Sequence, residues 1–396
     1  MRKLFLSLSV ALISSAAFAQ VKIDSIEGYK FSTVKEVKIT PIKNQHRSGT
    51  CWSFSGLAFL ESEMLRMGKP EMDLSEMFVV RNAYADKAVK YVRFHGSLNF
   101  GGGGSFYDVV ETVRKYGIVP EEAYKGLEYG EEMHVHGEFD AVTKAYVDAI
   151  IGNPNKKIST AWKAGYDGIL DAYMGKLPQS FDFQGKTYNP TTFASSLGLN
   201  LNDYVYVSSY THHPFYQKFV LEVPDNWAFG DMYNLPLDEF IQIFDNAINT
   251  GYSVAWASDV SEKGFAYKHG IAIVPEANVK EMNNSEKSKW TDLSQKEKDE
   301  MLYKFDKPGI EKNITQEDRQ KAFDNYLTTD DHGMLIYGIA TDQNGNKYYM
   351  VKNSWGTTDK YKGVFYASEA FVKYKTLSIL VHKNAIPKAI AKKIGL

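Results

Sequence analysis

The 396-residue chain has a single cysteine, Cys51. No intramolecular disulfide can form, so stability has to come from packing. An excess of charge of one sign is also missing. Lys and Arg number 46 and Asp and Glu 48, a formal net charge of -2. That balance supplies no electrostatic footprint for nucleic acid, and no nucleic-acid partner is expected. Beyond the N-terminal segment no apolar run reaches the length of a bilayer, so no membrane span is expected. There is no internal repeat and no low-complexity linker. Hydrophobic residues make up 44% and charged residues 24%, which excludes disorder as a description of the whole chain.

The first residues, MRKLFLSLSVALISSAAFA, carry Arg2 and Lys3, then an apolar stretch, then Ala17-Phe18-Ala19. This is the pattern of a secretory signal peptide over residues 1–19. No cysteine follows it to carry a lipid anchor, so the expected location is secreted or periplasmic. Residues 20–396 form the mature chain. Within it, Trp52, Leu57, Leu60, Met64 and Met67 recur at helical spacing, which predicts a helix over Cys51–Gly68 with Ser48 or Thr50 as cap. Further helices are expected from Ser75, over Ser105–Tyr116 with Gly117 as its stop, and through much of Val119–Tyr173. Later segments are rich in β-branched and aromatic residues and predict strands. These are Tyr204–Tyr210, Phe219–Val223, Ser253–Asp259, Met334–Ala340, Lys347–Lys352 and Ser378–His382, with a helix over Leu237–Asn249. The charged stretch Asn278–Tyr326 reads as a surface helical insertion, with capping boxes at Ser294–Glu297 and Thr315–Asp318. The layout is a helical lobe over about 45–200 and a sheet-rich lobe over about 200–390, the insertion spanning about 278–326.

The chemistry concentrates in Gln45-His46-Arg47-Ser48-Gly49-Thr50-Cys51-Trp52. A cysteine at a helix start meets exposed N–H groups and the positive end of the dipole, which favour the thiolate. Gly49 permits close backbone approach. Gln45 can offer a side-chain N–H that, with the Cys51 N–H, makes an oxyanion hole. A thiolate nucleophile needs a base and an orienting group. His332, in Asp331-His332-Gly333-Met334, precedes one predicted strand, and Asn353, in Lys352-Asn353-Ser354-Trp355-Gly356, follows the next. A hairpin would bring the two together, with Trp355 shielding the imidazole–amide bond.

These motifs, in the order Cys, His, Asn, resemble the papain superfamily of cysteine peptidases, and within it the bleomycin hydrolase and bacterial aminopeptidase C family. Gly103-Gly104-Ser105 with Lys115–Pro120, and Asn234–Asp259, are similar to that family as well. The resemblance implies an α+β, papain-like two-lobe fold, with a helical lobe, an antiparallel β-barrel-like lobe and large insertions. It implies hydrolysis of peptide bonds through a thioester acyl-enzyme, aminopeptidase-like, with no cofactor and no metal. Cys51 would be the nucleophile, His332 the base and acid, Asn353 the orienting group and Gln45 the oxyanion donor. Gly49, Trp52, Gly103, Gly104, Asp331 and Trp355 would contact the peptide substrate, Gly103 and Gly104 by backbone pairing. Self-association into a homo-oligomer also follows from the resemblance.

In that family a C-terminal arm reaches into the cleft, and its carboxylate holds the substrate amine. Pro387–Leu396 resembles the helix that precedes the arm. An exopeptidase stop is therefore sought in this tail, in Glu121–Tyr173 or in Asn278–Tyr326. An open-cleft endopeptidase and a papain-fold acyltransferase or amidase remain open alternatives, because all three share acyl-enzyme chemistry. Metal binding by His134 and His136 is not expected, since no further ligand sits at the needed spacing. His212, His213 and His269 read as structural or surface groups.

Overall fold

The computed structural model describes residues 25–396, apart from 27, 278 and 281. The signal peptide expected over residues 1–19 lies outside the described residues. Helices dominate the first half: α1 (Cys51–Arg66), α2 (Glu76–Arg93), α3 (Phe106–Tyr116), α4 (Gly137–Ile151), α5 (Trp162–Met174) and α6 (Pro190–Ser196). Strands β1 (Ser25–Ile26) and β2 (Tyr29–Lys30) form a hairpin ahead of β3 (Ser32–Glu36), and β4 (Phe181–Phe183) and β5 (Lys186–Tyr188) form another. After them come β6 (Tyr204–Ser208), β7 (Lys218–Val220), β8 (Asp231–Asn234), α7 (Leu237–Asn249), β9 (Val254–Ser258), β10 (Phe265–Ala266) and β11 (Ile271–Ala272). The charged stretch forms α8 (Asn284–Asp292), α9 (Gln295–Leu302) and α10 (Gln316–Asp324). The chain ends through β12 (His332–Thr341), β13 (Lys347–Lys352), β14 (Val364–Ser368), α11 (Glu369–Lys375), β15 (Thr376–His382) and α12 (Lys388–Lys393).

An 11-stranded sheet runs β10-β11-β14-β13-β12-β9-β15-β6-β8-β7, with β3 also paired to β12. Most pairs are antiparallel; β11–β14 and β6–β8 are parallel. Side chains alternate across the strands. Met334, Ile336, Trp256 and Ile379 pack with Phe240, Phe244 and Ile248 of α7. Their neighbours Leu335, Ala255 and Leu380 pack with Leu57, Phe59 and Leu60 of α1. The sheet is thus covered by α1 on one face and by α7 on the other. On the α7 face also lie Ile386, Ile390 and Ile394. Asn246 donates to the Ala385 carbonyl at 2.8 Å, and Lys393 pairs with Glu239. The C-terminal helix therefore packs on the far side of the sheet from Cys51.

Local chemistry explains most element ends. Ser105 and Asp108 close a capping box at the start of α3, and Gly117 ends it with φ of 79°. Ser294–Glu297 and Thr315–Asp318 are capping boxes as the sequence predicts. At Cys51 the expectation holds for the position of the cap and not for its hydrogen bond. Thr50 occupies the N-cap of α1 but its hydroxyl makes no capping bond. It meets Ser48 Oγ at 2.5 Å, and Ser48 reaches back to the Gln45 carbonyl at 2.7 Å. These hydroxyls fix the segment before the helix rather than its first turn. A second difference lies at Phe219–Val223: β7 ends at Val220, because Asn226 folds the following residues into a loop. Its amide donates to the carbonyls of Leu221 and Gly230 and accepts from Gly230 N–H.

Candidate active site

Cys51 is the first residue of α1, and His332 opens β12, which lies against that helix. Both line one cavity with Trp52, Gly104, Asp331 and Gly333. Antiparallel pairing of β12 with β13 places Leu335 opposite Lys352, so the residue after β13 returns to the start of β12. There His332 Nε2 lies 2.7 Å from Asn353 Oδ1, which also accepts the Ser354 N–H at 2.8 Å. With Nε2 engaged by an acceptor, Nδ1 is the nitrogen left for the thiol. Trp355 stacks on the imidazole at 4.7 Å and 26°, which covers that bond as the sequence predicts.

Gln45 reaches the site through main-chain pairing across the molecule. Its N–H donates to the Ser354 carbonyl at 2.8 Å, Gly356 N–H donates to Lys43, and Asn44 bridges to Trp355. Ser354 Oγ donates to Gln45 Oε1 at 2.6 Å. The acceptor end of this buried amide is thereby occupied and its N–H end is free to face a developing oxyanion.

Burial pushes the Cys51 thiol up to about 12, opposed by the Gly333 N–H and reinforced by Asp330 and Asp225. Burial pushes the His332 imidazole down to about 4, against the Asn353 bond and the Asp331 charge. Burial is the first cause of both shifts, and each disfavours the charged form of its group. A thiol, a held imidazole and a directed amide are the groups needed to attack a carbonyl and stabilise its oxyanion.

The expected substrate-contacting residues divide. Trp52, Gly104 and Asp331 line the cavity; Gly49, Gly103 and Trp355 do not. Gly49, with φ of 66°, holds its backbone against Gly102. Trp52 Nε1 donates to the Gly102 carbonyl at 2.8 Å. A Cβ on Gly104 would fall 2.8 Å from the Trp52 ring, so only glycine fits there. The Asp225 carboxylate packs against Gly103: a Cβ there would be 2.2 Å from Asp225 Oδ1. Asp331 is committed to the protein, accepting from Val260 and Ser261 N–H and from the Thr329 hydroxyl. Burial alone would raise its carboxyl, but these bonds hold it below the usual range.

Sequence reasoning missed Asp225, Asp330 and the loop over 221–230. Leu221, Val223, Asp225 and Asn226 of this loop line the cavity; the strand expected over Phe219–Val223 covers only the first residues of the loop. None of Glu121–Tyr173, Asn278–Tyr326 or Pro387–Leu396 lines it, contrary to expectation. The signal was Pro224-Asp225-Asn226, a turn-forming run. Lys87 was missed as well. It is buried on α2, donates to the carbonyls of Gly101 and Gly103, and lies over the Trp227 ring.

Among the described residues one trio has metal-ligand chemistry, His212, His213 and Glu222. Thr211 N–H fixes Gln320 Oε1, so the Gln320 amide donates to His212 Nδ1 at 3.0 Å. Nε2 then carries the proton and donates to Glu222. A ring so fixed offers no lone pair to a metal. His134 and His136 pack with Phe54, Tyr129 and Phe139.

Fold and site together define a papain-like cysteine peptidase. Residues 29–165 match the family described as papain family cysteine protease, and residues 284–395 match the peptidase C1-like family. Two models of papain-type peptidases thus match separate parts of the chain, which is a cysteine peptidase. It is 24% identical over 388 residues to aminopeptidase C of Streptococcus thermophilus, covering 87% of this chain and 80% of that protein. It is 22% identical over 400 residues to aminopeptidase G of Lactobacillus delbrueckii subsp. lactis, covering 90% and 84%. Among solved structures, PepW from Lactobacillus rhamnosis HN001 shares the fold, with a TM-score of 0.67, 20% identity, and coverage of 92% of this chain and 84% of that one.

Proposed function

We propose that the protein is a cysteine aminopeptidase that releases the first residue of a peptide. Cys51 attacks the first peptide carbonyl as His332 takes the thiol proton. The oxyanion is held by the Gln45 side chain and the Cys51 N–H. His332 then protonates the leaving amine, and water, activated by the same imidazole, hydrolyses the thioester. Asn353 keeps Nδ1 aimed at the sulfur.

The observation that carries an exopeptidase reading is the loop over 221–230. Asp225 packs against Gly103, the residue expected to pair with an extended peptide, and its loop lines the catalytic cavity; this supports a cleft narrowed on that side. A leucyl 7-amido-4-methylcoumarin and its N-acetylated twin test this. The free amine should be cleaved and the acetylated compound resist; equal rates, or internal cuts in a long peptide, would overturn the reading.

A further inference from the structure

Two carboxyl groups in the catalytic cavity have no part in the attack on the carbonyl. Asp225 and Asp330 both line it together with Cys51 and His332. Their situations differ from that of Asp331, whose oxygens are taken up by backbone and hydroxyl donors. No hydrogen bond or ion pair of Asp330 occurs among the described residues. The charged groups that face it are Asp225 and Asp331, both acids. Asp225 accepts one bond, from the Asn99 amide at 2.9 Å. Its nearest cation, Lys87, spends its N–H groups on the carbonyls of Gly101 and Gly103.

Asp225 and Asp330 are half-buried, and a half-buried carboxylate without a counter-charge is stabilised by a cation. The carboxyl of Asp330 is accordingly pushed up to about 8, by burial first and then by Asp225 and Asp331. A metal ion is the wrong guest. The one described group whose ligand atoms converge within 4.8 Å is His212, His213 and Glu222, not these acids. An ammonium fits two acids that stand without a counter-charge, because its N–H donors point in separate directions.

We propose that Asp225 and Asp330 together hold the α-ammonium of the substrate's first residue, and so select peptides with a free amino terminus. The proposal rests on the aminopeptidase reading and adds the groups that read the amine. Leu221, Val223, Met232 and Leu377 form the apolar wall beside them, which fits a first residue with a medium-sized apolar side chain. The anchor also acts on the nucleophile. After burial, Asp330 and Asp225, when ionised, push the Cys51 thiol further up. An ammonium seated between them cancels that field, so the thiol is eased toward the thiolate when an amine is in place. The amine therefore contributes to turnover as well as to binding.

The test uses leucyl 7-amido-4-methylcoumarin and 4-methylpentanoyl 7-amido-4-methylcoumarin, the same acyl group without its amine. The unaltered enzyme should prefer the first by about 10²-fold, as expected for lost charge-assisted hydrogen bonds. Asp330→Asn and Asp225→Asn should each cut that preference about tenfold or more, by slowing the leucyl compound. Iodoacetamide should still place one adduct on Cys51 in each variant, showing an intact cavity. A preference unchanged in both variants overturns the anchor while the aminopeptidase reading stands. Equal hydrolysis of the two compounds by the unaltered enzyme overturns the reading itself. A measurement independent of any variant is protection of Cys51 from iodoacetamide by isopentylamine, with isopentanol as control. Protection by the amine alone is expected, and equal effects of the two overturn the anchor.

Discussion

At the scale of single residues the site is a chain of fixed orientations. Ser354 N–H and His332 Nε2 both point at Asn353 Oδ1, and the Asn353 Nδ2 is left buried without a partner. An orphaned buried donor costs about 1–3 kcal/mol, so this amide is held where its oxygen is needed, at the expense of its nitrogen. Its work is to aim a ring that itself carries the proton. His332→Ala should lower kcat by about 10²–10⁴-fold, the contribution of a positioned general acid–base. Asn353→Ala should cost less, since the ring keeps its Trp355 stack. Steady-state kinetics on one fluorogenic substrate compares them, and a larger loss for Asn353→Ala would reverse the two roles. Gln45, Cys51, His332 and Asn353 were legible in the sequence because each lies in a short motif whose neighbours share its task. Asp330 was not. It adjoins Asp331 in the chain, and only the fold shows that one carboxylate is paid in hydrogen bonds while the other faces the cavity.

At the scale of elements, α2 governs the glycine turn and the loop over 221–230 together. Lys87 holds the carbonyls of Gly101 and Gly103. One turn on, Lys90 donates to the Ala228 carbonyl at 2.7 Å and lies 4.1 Å from the centre of the Phe229 ring. Burial lowers the Lys87 amine to about 8, against the pull of Asp108, Asp225 and Asp140. Lys87→Met should free both carbonyls and leave Asp225 without its nearest cation. We expect KM for the leucyl substrate to rise about tenfold with kcat within a few-fold, partly restored by Lys87→Arg, and unfolding free energy to fall by about 2 kcal/mol. A fall in stability with unchanged KM would make Lys87 purely structural. The helices α1, α3 and α7 and the strands β9, β12 and β13 were readable from periodicity and stop signals. The short strands β8, β10, β11 and the longer β14 were not. At two to five residues they carry too little pattern, and pairing with neighbours distant in sequence defines them.

At the scale of the whole molecule the helical and sheet-rich halves meet where residues 43–45 pair with 354–356. Lys43 gathers Glu61, Asp73 and Glu76 at that junction. Glu121 stands near them with a buried oxygen that has no partner. Its carboxyl is raised to about 9, by burial first and then by Glu76. Because the folded value exceeds the unfolded one, this group favours the fold below about pH 4 and its contribution is lost as pH rises toward 9. Glu121→Gln, which keeps the shape of the neutral acid, should match the parent Tm at about pH 4 and exceed it at about pH 8. A Tm difference that does not change with pH would refute the assignment. The two-lobe layout was readable because hydrophobic patterning changes near residue 200. The stop proposed for the cleft end was not, because the cavity is lined by the loop over 221–230 rather than by the large insertions or the tail. Finally, the half-buried thiol of Cys51 is the chain's only sulfhydryl. If peroxide converts it to a sulfenic acid, no neighbouring sulfur exists to trap that state as an internal disulfide. Rescue then depends on a small thiol supplied by the surroundings, and without one the damage proceeds to acids that no thiol reverses.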